Sequence, residues 1–238
     1  MKIALIGYGK MGQAIEQIAI AKGHEISHKV DLNSQHLLDK ESLQTADVAI
    51  EFTTPETAVS NILKCFDANV PVVCGTTGWL DHMPEVTASC LEKHQAFLYA
   101  SNFSIGVNIF FELNKRLAEL MGPHADYNVQ MEEIHHTAKR DAPSGTAITL
   151  AEEILANNAR KKGWVNEGTH AADQLGIVSK RIDPAPGTHI INYTSTIDDI
   201  TIIHTAHSRQ GFAAGAVTAA EWLKDKKGIY TMKDVLNL

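Results

Sequence analysis

The stretch Lys2–Gly12, KIALIGYGKMG, sets an apolar run, Ile3 to Ile6, directly against three glycines spaced G-x-G-x-x-G. A short unbroken apolar run that ends at glycine reads as a strand buried on both faces, as in a parallel sheet. Glycine at positions 7, 9 and 12 then permits a tight turn, a close backbone approach to an anion, and close packing of the helix that follows. The N-terminus of that helix adds free N–H groups and the positive end of its dipole. Outward from this loop, Met11–Lys22 reads as the helix and HEISHKV, His24–Val30, as a second strand. Asp31 ends that strand nineteen residues past Gly12, near the spacing of the acid that takes the adenine ribose of a dinucleotide. The loop residues Gly7, Tyr8, Gly9, Lys10, Met11 and Gly12, with Asp31, are therefore the predicted dinucleotide site. Asp31 favours a free 2′-hydroxyl, and Leu32 follows it where a cation could have stood, so the sequence leans toward NAD. Lys10 and Lys29 are cations near enough to reach a 2′-phosphate, and the cofactor stays open between NADH and NADPH.

The same texture continues. DVAIEFT, VPVVCGTTG and AFLYASNFS each read as a strand with its following loop, and TTPETAVSNILKCF as a helix with Pro55 at its first position. Strands alternating with helices predict a parallel sheet covered by helices. Ligands bind beyond the carboxyl ends of such strands, so the CGTTG and ASNFS loops are the expected walls of a nicotinamide pocket. After Asn102 the pattern changes to a long helix, GVNIFFELNKRLAELM, a strand in YNVQMEEIHH, a helix over Ala147–Lys162, and two late strands, THIINYTST and DITIIHTAH, joined by a tight Asp198-Asp199 turn. The final stretch, GAVTAAEWLKDKKG, reads as a helix returning to the first domain. The expected fold class is α/β: an N-terminal Rossmann dinucleotide-binding domain of residues 1–103 with 213–238, and a C-terminal α+β domain of residues 104–212.

Composition narrows the function. The 238 residues carry a formal charge of −7, which argues against binding a nucleic acid backbone. The basic run Arg160–Lys162 reads as the end of a helix, where cations meet the negative pole. No apolar run is long enough for a membrane span, and IALIG breaks too early for a signal peptide, so a cytoplasmic protein is expected. The three cysteines, Cys65, Cys74 and Cys90, form no C-x-x-C pair and read as reduced, buried thiols.

The second dense stretch is EEIHHTAKRDAPSGTA, Glu132–Ala147. Extended, it places Val129, Met131, Glu133 and His135 on one face and turns His136 to the other. His135 is a proton donor or acceptor candidate, because imidazole titrates near neutrality. Lys139 and Arg140 follow at once, and the Pro143-Ser144-Gly145 turn opens a helix, with Gly145 and Thr146 at the mouth of its N-terminus. Cations beside a helix N-terminus suit a carboxylate or phosphate. No metal is expected: H-E-x-x-H is absent, and adjacent residues of a strand cannot both turn to one ion. Set against these readings, an adjacent histidine pair is by itself more often core or solvated material, and the turn by itself only a helix cap. A non-catalytic NAD-binding sensor would use His135 and Lys139 as ordinary surface groups.

HHTAKRDAPSGTA, with GYGKMG, GTTG, SNFSIGVN and the late HTAHSRQGFAAGA, resembles dihydrodipicolinate reductase along essentially the whole chain. The resemblance implies a cytoplasmic homotetramer that reduces 4-hydroxy-tetrahydrodipicolinate, a small dicarboxylate, to tetrahydrodipicolinate with NADH or NADPH in the diaminopimelate route to lysine. Its second domain would carry both substrate binding and tetramer formation. By the same resemblance His135 is the proton donor or acceptor, Lys139 a proton donor or carboxylate ligand, His136 a substrate contact, and Gly145 with Thr146 a carboxylate site. The cofactor contacts it implies are Gly7 to Gly12, Asp31, the loop Gly75, Thr76 and Thr77, and the segment Ala100, Ser101, Asn102 and Phe103. The chain departs from the family where Lys10 and Leu32 stand in place of frequent arginines, and where KRIDPAPGTH carries two prolines in a hairpin that is commonly glycine-rich.

Overall fold

A computed structural model describes residues 1–169, 171–208 and 210–238. Arg209, within the late HTAHSRQGFAAGA motif, and His170 lie outside the described residues. In chain order the elements are β1 (Lys2–Ile6), α1 (Lys10–Ala21), β2 (Glu25–Val30), α2 (Lys40–Leu43), β3 (Val48–Glu51), α3 (Pro55–Asp67), β4 (Val72–Cys74), α4 (Met83–Glu92) and β5 (Ala96–Tyr99). They continue as α5 (Ile105–Met121), β6 (Asn128–His135), α6 (Gly145–Asn157), β7 (Gly163–Val165), β8 (Gln174–Arg181), β9 (Gly187–Thr194), β10 (Asp199–Ala206), α7 (Gln210–Leu223), β11 (Gly228–Tyr230) and α8 (Met232–Leu236). The chain divides into two compact units, Met1–Ile105 with Gln210–Leu238, and Gly106–Arg209.

The first unit is a six-stranded parallel sheet in the order β11-β5-β4-β3-β1-β2. Its inner strands β1, β3, β4 and β5 are mostly apolar and buried because both faces are covered. Ile3, Leu5, Ile50 and Leu98 pack with Ile15 and Ala19 of α1 and Ala213 to Leu223 of α7, while Ala4, Ile6, Ala49 and Phe97 pack with Ile62 and Phe66 of α3 and Val86 of α4. The order of strands reverses between β1 and β3, which opens a crevice at their carboxyl ends. Four elements here escape the sequence reading, among them the five-residue α8. β11 spans three residues, too short for periodicity; α4 carries Pro84 near its start; and α2 has four residues. α7 begins at Gln210, five residues before the expected helix.

The second unit is a mixed sheet in the order β10-β9-β6-β8-β7. β6 runs parallel to β8 and antiparallel to β9, and β9 pairs antiparallel with β10. Burial alternates along β6, so Val129, Met131, Glu133 and His135 face inward. On that side Val129, Met131, Leu175, Ile177, Ile191 and Tyr193 form a core with Phe110, Ala118 and Met121 of α5 and Leu150, Ala151 and Ile154 of α6. The opposite face carries Ile134, Ile190 and Ile203, the last 58% exposed.

Several expectations change. Neither β7 nor β8 was expected. β9 and β10 are joined by a four-residue loop, not a tight Asp198-Asp199 turn: Ser195 Oγ accepts from the N–H groups of Ile197 and Asp198, both at 3.1 Å. α6 ends at Asn157, so Arg160–Lys162 lie beyond it. Arg160 donates to the carbonyls of His124, Ala125 and Tyr127, and buried Lys161 to Asn128 Oδ1 and the Gln174 carbonyl at 3.0 and 2.8 Å. These cations tie loops to the sheet; they do not complete the helix dipole.

Candidate active site

The glycine loop is closed below and open above. Gly7 has φ +97°, which an L side chain rarely adopts, and a Cβ there would lie 1.9 Å from the Phe52 carbonyl oxygen. A Cβ on Gly12 would lie 2.3 Å from the Gly7 oxygen, whereas one on Gly9 would meet nothing within 4 Å. Gly9 also caps α1 without any side-chain hydrogen bond, leaving the first-turn amides for a ligand. This cradle fits a dinucleotide pyrophosphate. Lys10 begins α1 and is exposed; Met11 is half-buried against the core.

At the ribose end, Asp31 accepts at Oδ1 from Asn33 N (2.8 Å), Ser34 N (3.1 Å) and Ser34 Oγ (2.9 Å). Those bonds, the Asn33 amide first, hold its carboxyl below the ordinary aspartate range. Lys29 is paired with Glu16 at 2.5 Å and lies 5.2 Å from the centre of the Tyr8 ring, whose hydroxyl also binds Glu16. In the GTTG loop, Gly75 backs onto the Phe52 ring, 2.2 Å from where a Cβ would sit, and Thr77 is exposed. Thr76 faces inward: its hydroxyl donates to Glu51 Oε2 at 2.7 Å and accepts from Thr53 N at 2.7 Å. Ala100 and Asn102 are buried, Ser101 is exposed, and the Phe103 ring is in the core 5.6 Å from Phe52. Thr76 and Phe103 can therefore offer a ligand only their backbones. Glu51 is the residue the sequence reading missed here. It is a fully buried carboxylate that also accepts from Thr53 and Cys74, and so joins the loops after β3 and β4.

In the second unit β6 delivers His135 at its end, and α6 starts after the loop that contains Lys139. Ser144 caps α6: its Oγ accepts from Ala147 N at 3.2 Å. Gly145 and Thr146 are the first two residues of the helix, and Gly145 is open on its Cβ side. Lys139 Nζ pairs with Asp141 at 2.8 Å. His136 is half-buried, just past the end of β6.

Glu133 ties this region together. It is fully buried and accepts from Ser144 N at 3.1 Å, from Ser179 Oγ at 2.8 Å and from the Arg181 guanidinium at 3.4 Å. Arg181 also donates to the carbonyls of Lys139 and Asp141, at 3.3 and 2.5 Å. Burial opposes ionisation of Glu133, but the hydrogen bonds from Ser144 and Ser179 and the charge of His135 outweigh it, and its pKa lies below the ordinary value. Its Oε2 is 3.4 Å from His135 Nδ1 and 3.8 Å from His189 Nε2. The two imidazoles sit edge to face, 5.3 Å apart. Burial, with Lys139 and Arg181 nearby, lowers the pKa of His135 against the pull of Glu133 and Asp141. Burial pushes His189 down to about 4. Glu133, His135 and His189 each place one ligand-type atom within 4.8 Å of the others. The adjacent histidines in sequence do not point to this trio, because its second imidazole comes from β9. Its carboxylate is already balanced by a guanidinium. Parity along β6 could have drawn attention to Glu133, but Arg181 and His189 arrive from other strands with no local cue.

Sequence models of "Dihydrodipicolinate reductase, N-terminus" and "Dihydrodipicolinate reductase, C-terminus" match residues 1–103 and 106–236. The chain belongs to the dihydrodipicolinate reductase family. It is 53% identical to the 4-hydroxy-tetrahydrodipicolinate reductase of Christiangramia forsetii, over 100% of this chain and 98% of that one. With that of Methanoregula boonei it shares 34% identity, again over 100% and 98%. Among solved structures, the dipicolinate-bound dihydrodipicolinate reductase from Paenisporosarcina sp. TG-14 superposes with a TM-score of 0.77 at 25% identity, covering 98% of both chains. The reductase therefore shares the fold of the Paenisporosarcina structure.

Proposed function

We propose that His135, with Lys139 beside it, delivers the proton in this reductase, and that the N-terminus of α6 at Gly145 and Thr146 holds a substrate carboxylate. The enzyme reduces 4-hydroxy-tetrahydrodipicolinate to tetrahydrodipicolinate with NAD(P)H, in the diaminopimelate route to lysine. A reduced nicotinamide supplies the hydride. The glycine cradle and Asp31 bind its dinucleotide, with the backbones of Gly75–Thr77 and Ala100–Phe103 as walls of its pocket.

The single observation that carries the reading is the reach of Glu133, one buried carboxylate that contacts the candidate donor His135 and the first amide of the α6 cap, Ser144 N. Proton source and anion site are thereby held in one rigid arrangement. A ring dicarboxylate such as the dipicolinate bound by the Paenisporosarcina relative would place one carboxylate on the α6 amides and meet Lys139 and His136 with the rest of the ring. Loss of the 4-hydroxyl as water leaves a carbon–carbon double bond conjugated with the ring C=N. Hydride addition to that system gives an enamine, and protonation at carbon completes the reduction. In the resting enzyme burial and two cations disfavour the imidazolium of His135 and hold its pKa below the ordinary histidine value. Substrate carboxylates offset those cations, so binding itself raises the imidazole pKa and loads the proton. Fixing both carboxylates orients the ring, and orientation contributes roughly 7 to 11 kcal/mol toward such a barrier.

The open face of the five-stranded sheet supports a homotetramer, and the reductase is proposed to work in the cytoplasm. The test of the site is His135→Gln, assayed by NADH absorbance with the condensation product of pyruvate and aspartate semialdehyde. We expect kcat to fall by about 10² to 10⁴ while KM stays nearly constant. A kcat equal to that of the wild type would remove His135 from the reaction.

A further inference from the structure

We propose that Glu133 is the positioning residue of proton delivery: it holds the Nδ1 edge of His135, so that the proton given to substrate leaves from Nε2, and it anchors the α6 N-terminus to the same point. This rests on the reading of His135 as proton donor.

The two oxygens of Glu133 have different surroundings. Oε1 is met by Ser179 Oγ and the Arg181 guanidinium, which suffice to neutralise and solvate a buried carboxylate. Oε2 faces the imidazoles, at 3.4 Å from His135 Nδ1 and 3.8 Å from His189 Nε2, while Ser144 N reaches both oxygens at 3.1 Å. His135 Nδ1 is buried and makes no hydrogen bond of its own. A proton on that nitrogen points toward a carboxylate, whereas a lone pair there would face an anion. The neutral ring therefore carries its proton on Nδ1 and leaves Nε2 as the exchanging atom, the arrangement in which a buried acid sets the tautomer of a catalytic histidine. The distance is long for a hydrogen bond, and catalytic contacts of this kind shorten when substrate binds. Gly187 supports the assignment. A Cβ at that position would lie 3.1 Å from Nε2, so glycine keeps this edge of the ring clear.

The charges around His135 fix the sign of the pH effect. Glu133 of β6 and Asp141 of the following loop favour the imidazolium; Lys139 of that loop, Arg181 of β8 and, when protonated, His189 of β9 disfavour it. Removing the Glu133 charge lowers the pKa of His135. Activity that needs the imidazolium falls as pH rises through that pKa, so the alkaline limb of kcat/KM moves to lower pH, by roughly one unit for a charge at this range.

The experiment has two arms. Nitrogen-15 NMR of the wild-type imidazoles, which requires no variant, should show neutral His135 protonated at Nδ1. Glu133→Gln should lower kcat at least about tenfold and shift the alkaline limb downward, while Glu133→Asp, which keeps the charge, should restore the position of the limb. A neutral His135 protonated at Nε2 overturns the proposal, as does a Glu133→Gln enzyme that keeps the wild-type limb and loses only thermal stability. Wild-type kcat in His135→Gln overturns the donor assignment and this role with it, and the tautomer seen in the resting protein tells the two failures apart.

Discussion

Cofactor choice is decided at single side chains. The proposed ribose acid, Asp31, is held by two backbone amides and the Ser34 hydroxyl, all at Oδ1, and none of these bonds uses Oδ2. A fixed carboxylate accepts hydrogen bonds from a ribose diol and repels a 2′-phosphate. Lys29, one of the two cations that could have offset that repulsion, is committed to Glu16 and the Tyr8 ring. Leu32 is 88% exposed and brings no charge. The wild-type enzyme should therefore bind NADH more tightly than NADPH. Asp31→Ala should weaken NADH by about tenfold, the worth of one hydrogen bond to a charged group, and leave NADPH unchanged or improved. Fluorescence titration with both nucleotides measures this, and tighter NADPH binding by the wild type would refute it. The acid itself was legible from its spacing to the glycine loop. The commitment of Lys29 was not, because Glu16 and Tyr8 are separated from it in sequence and meet it only once α1 packs beside β2.

At the scale of elements, period and length decided what could be read. β1, β3 and β5 are unbroken apolar runs at glycine or polar boundaries, and α3 announces itself with Pro55; these are local features. β8, QLGIVSKR, mixes small, polar and charged residues because its end feeds Ser179 and Arg181 to Glu133, and a strand that serves a buried polar network loses its alternating pattern. β6 kept its parity, since only one face is packed, and that parity placed Glu133 beside His135. α6 was extended five residues too far, because Arg160–Lys162 reads as a helix end until their loop carbonyl partners are seen. Close packing of α7 depends on small residues in a way sequence alone marks only as alanine-rich. A Cβ on Gly215 would lie 1.7 Å from the Phe103 carbonyl oxygen, a backbone atom that cannot swing aside. Gly215→Ala should therefore push α7 away from the segment that follows β5 and cost about 1 to 3 kcal/mol by overpacking, outweighing the helix propensity gained. Urea unfolding would register this as a lower midpoint, and a midpoint at or above the wild-type value would show that the helix shifts freely.

At the scale of the molecule, the second unit has two faces with different obligations. The inner face is satisfied by α5 and α6. The outer face presents Ile203 beside Ile190, its register partner on β9, with Ile190 in turn opposite Glu132 on β6. Ile203 is 58% exposed, and Ile134 and Ile190 are only half-buried. Exposed isoleucine on a wide, regular sheet is costly in water and favours a second copy of the same sheet, since side chains on two such faces interdigitate. The proposed homotetramer would bury this face by symmetric contacts in which each residue meets its own equivalent or a near neighbour. A charge placed there is then repeated across the contact and repelled by itself. Ile203→Glu should convert the assembly to dimers or monomers at micromolar concentration, seen by sedimentation velocity, while each subunit keeps its fold by circular dichroism, because the inner core is untouched. A wild-type protein that sediments as a monomer, or an Ile203→Glu variant that keeps its full mass, would place the subunit contacts elsewhere or remove them.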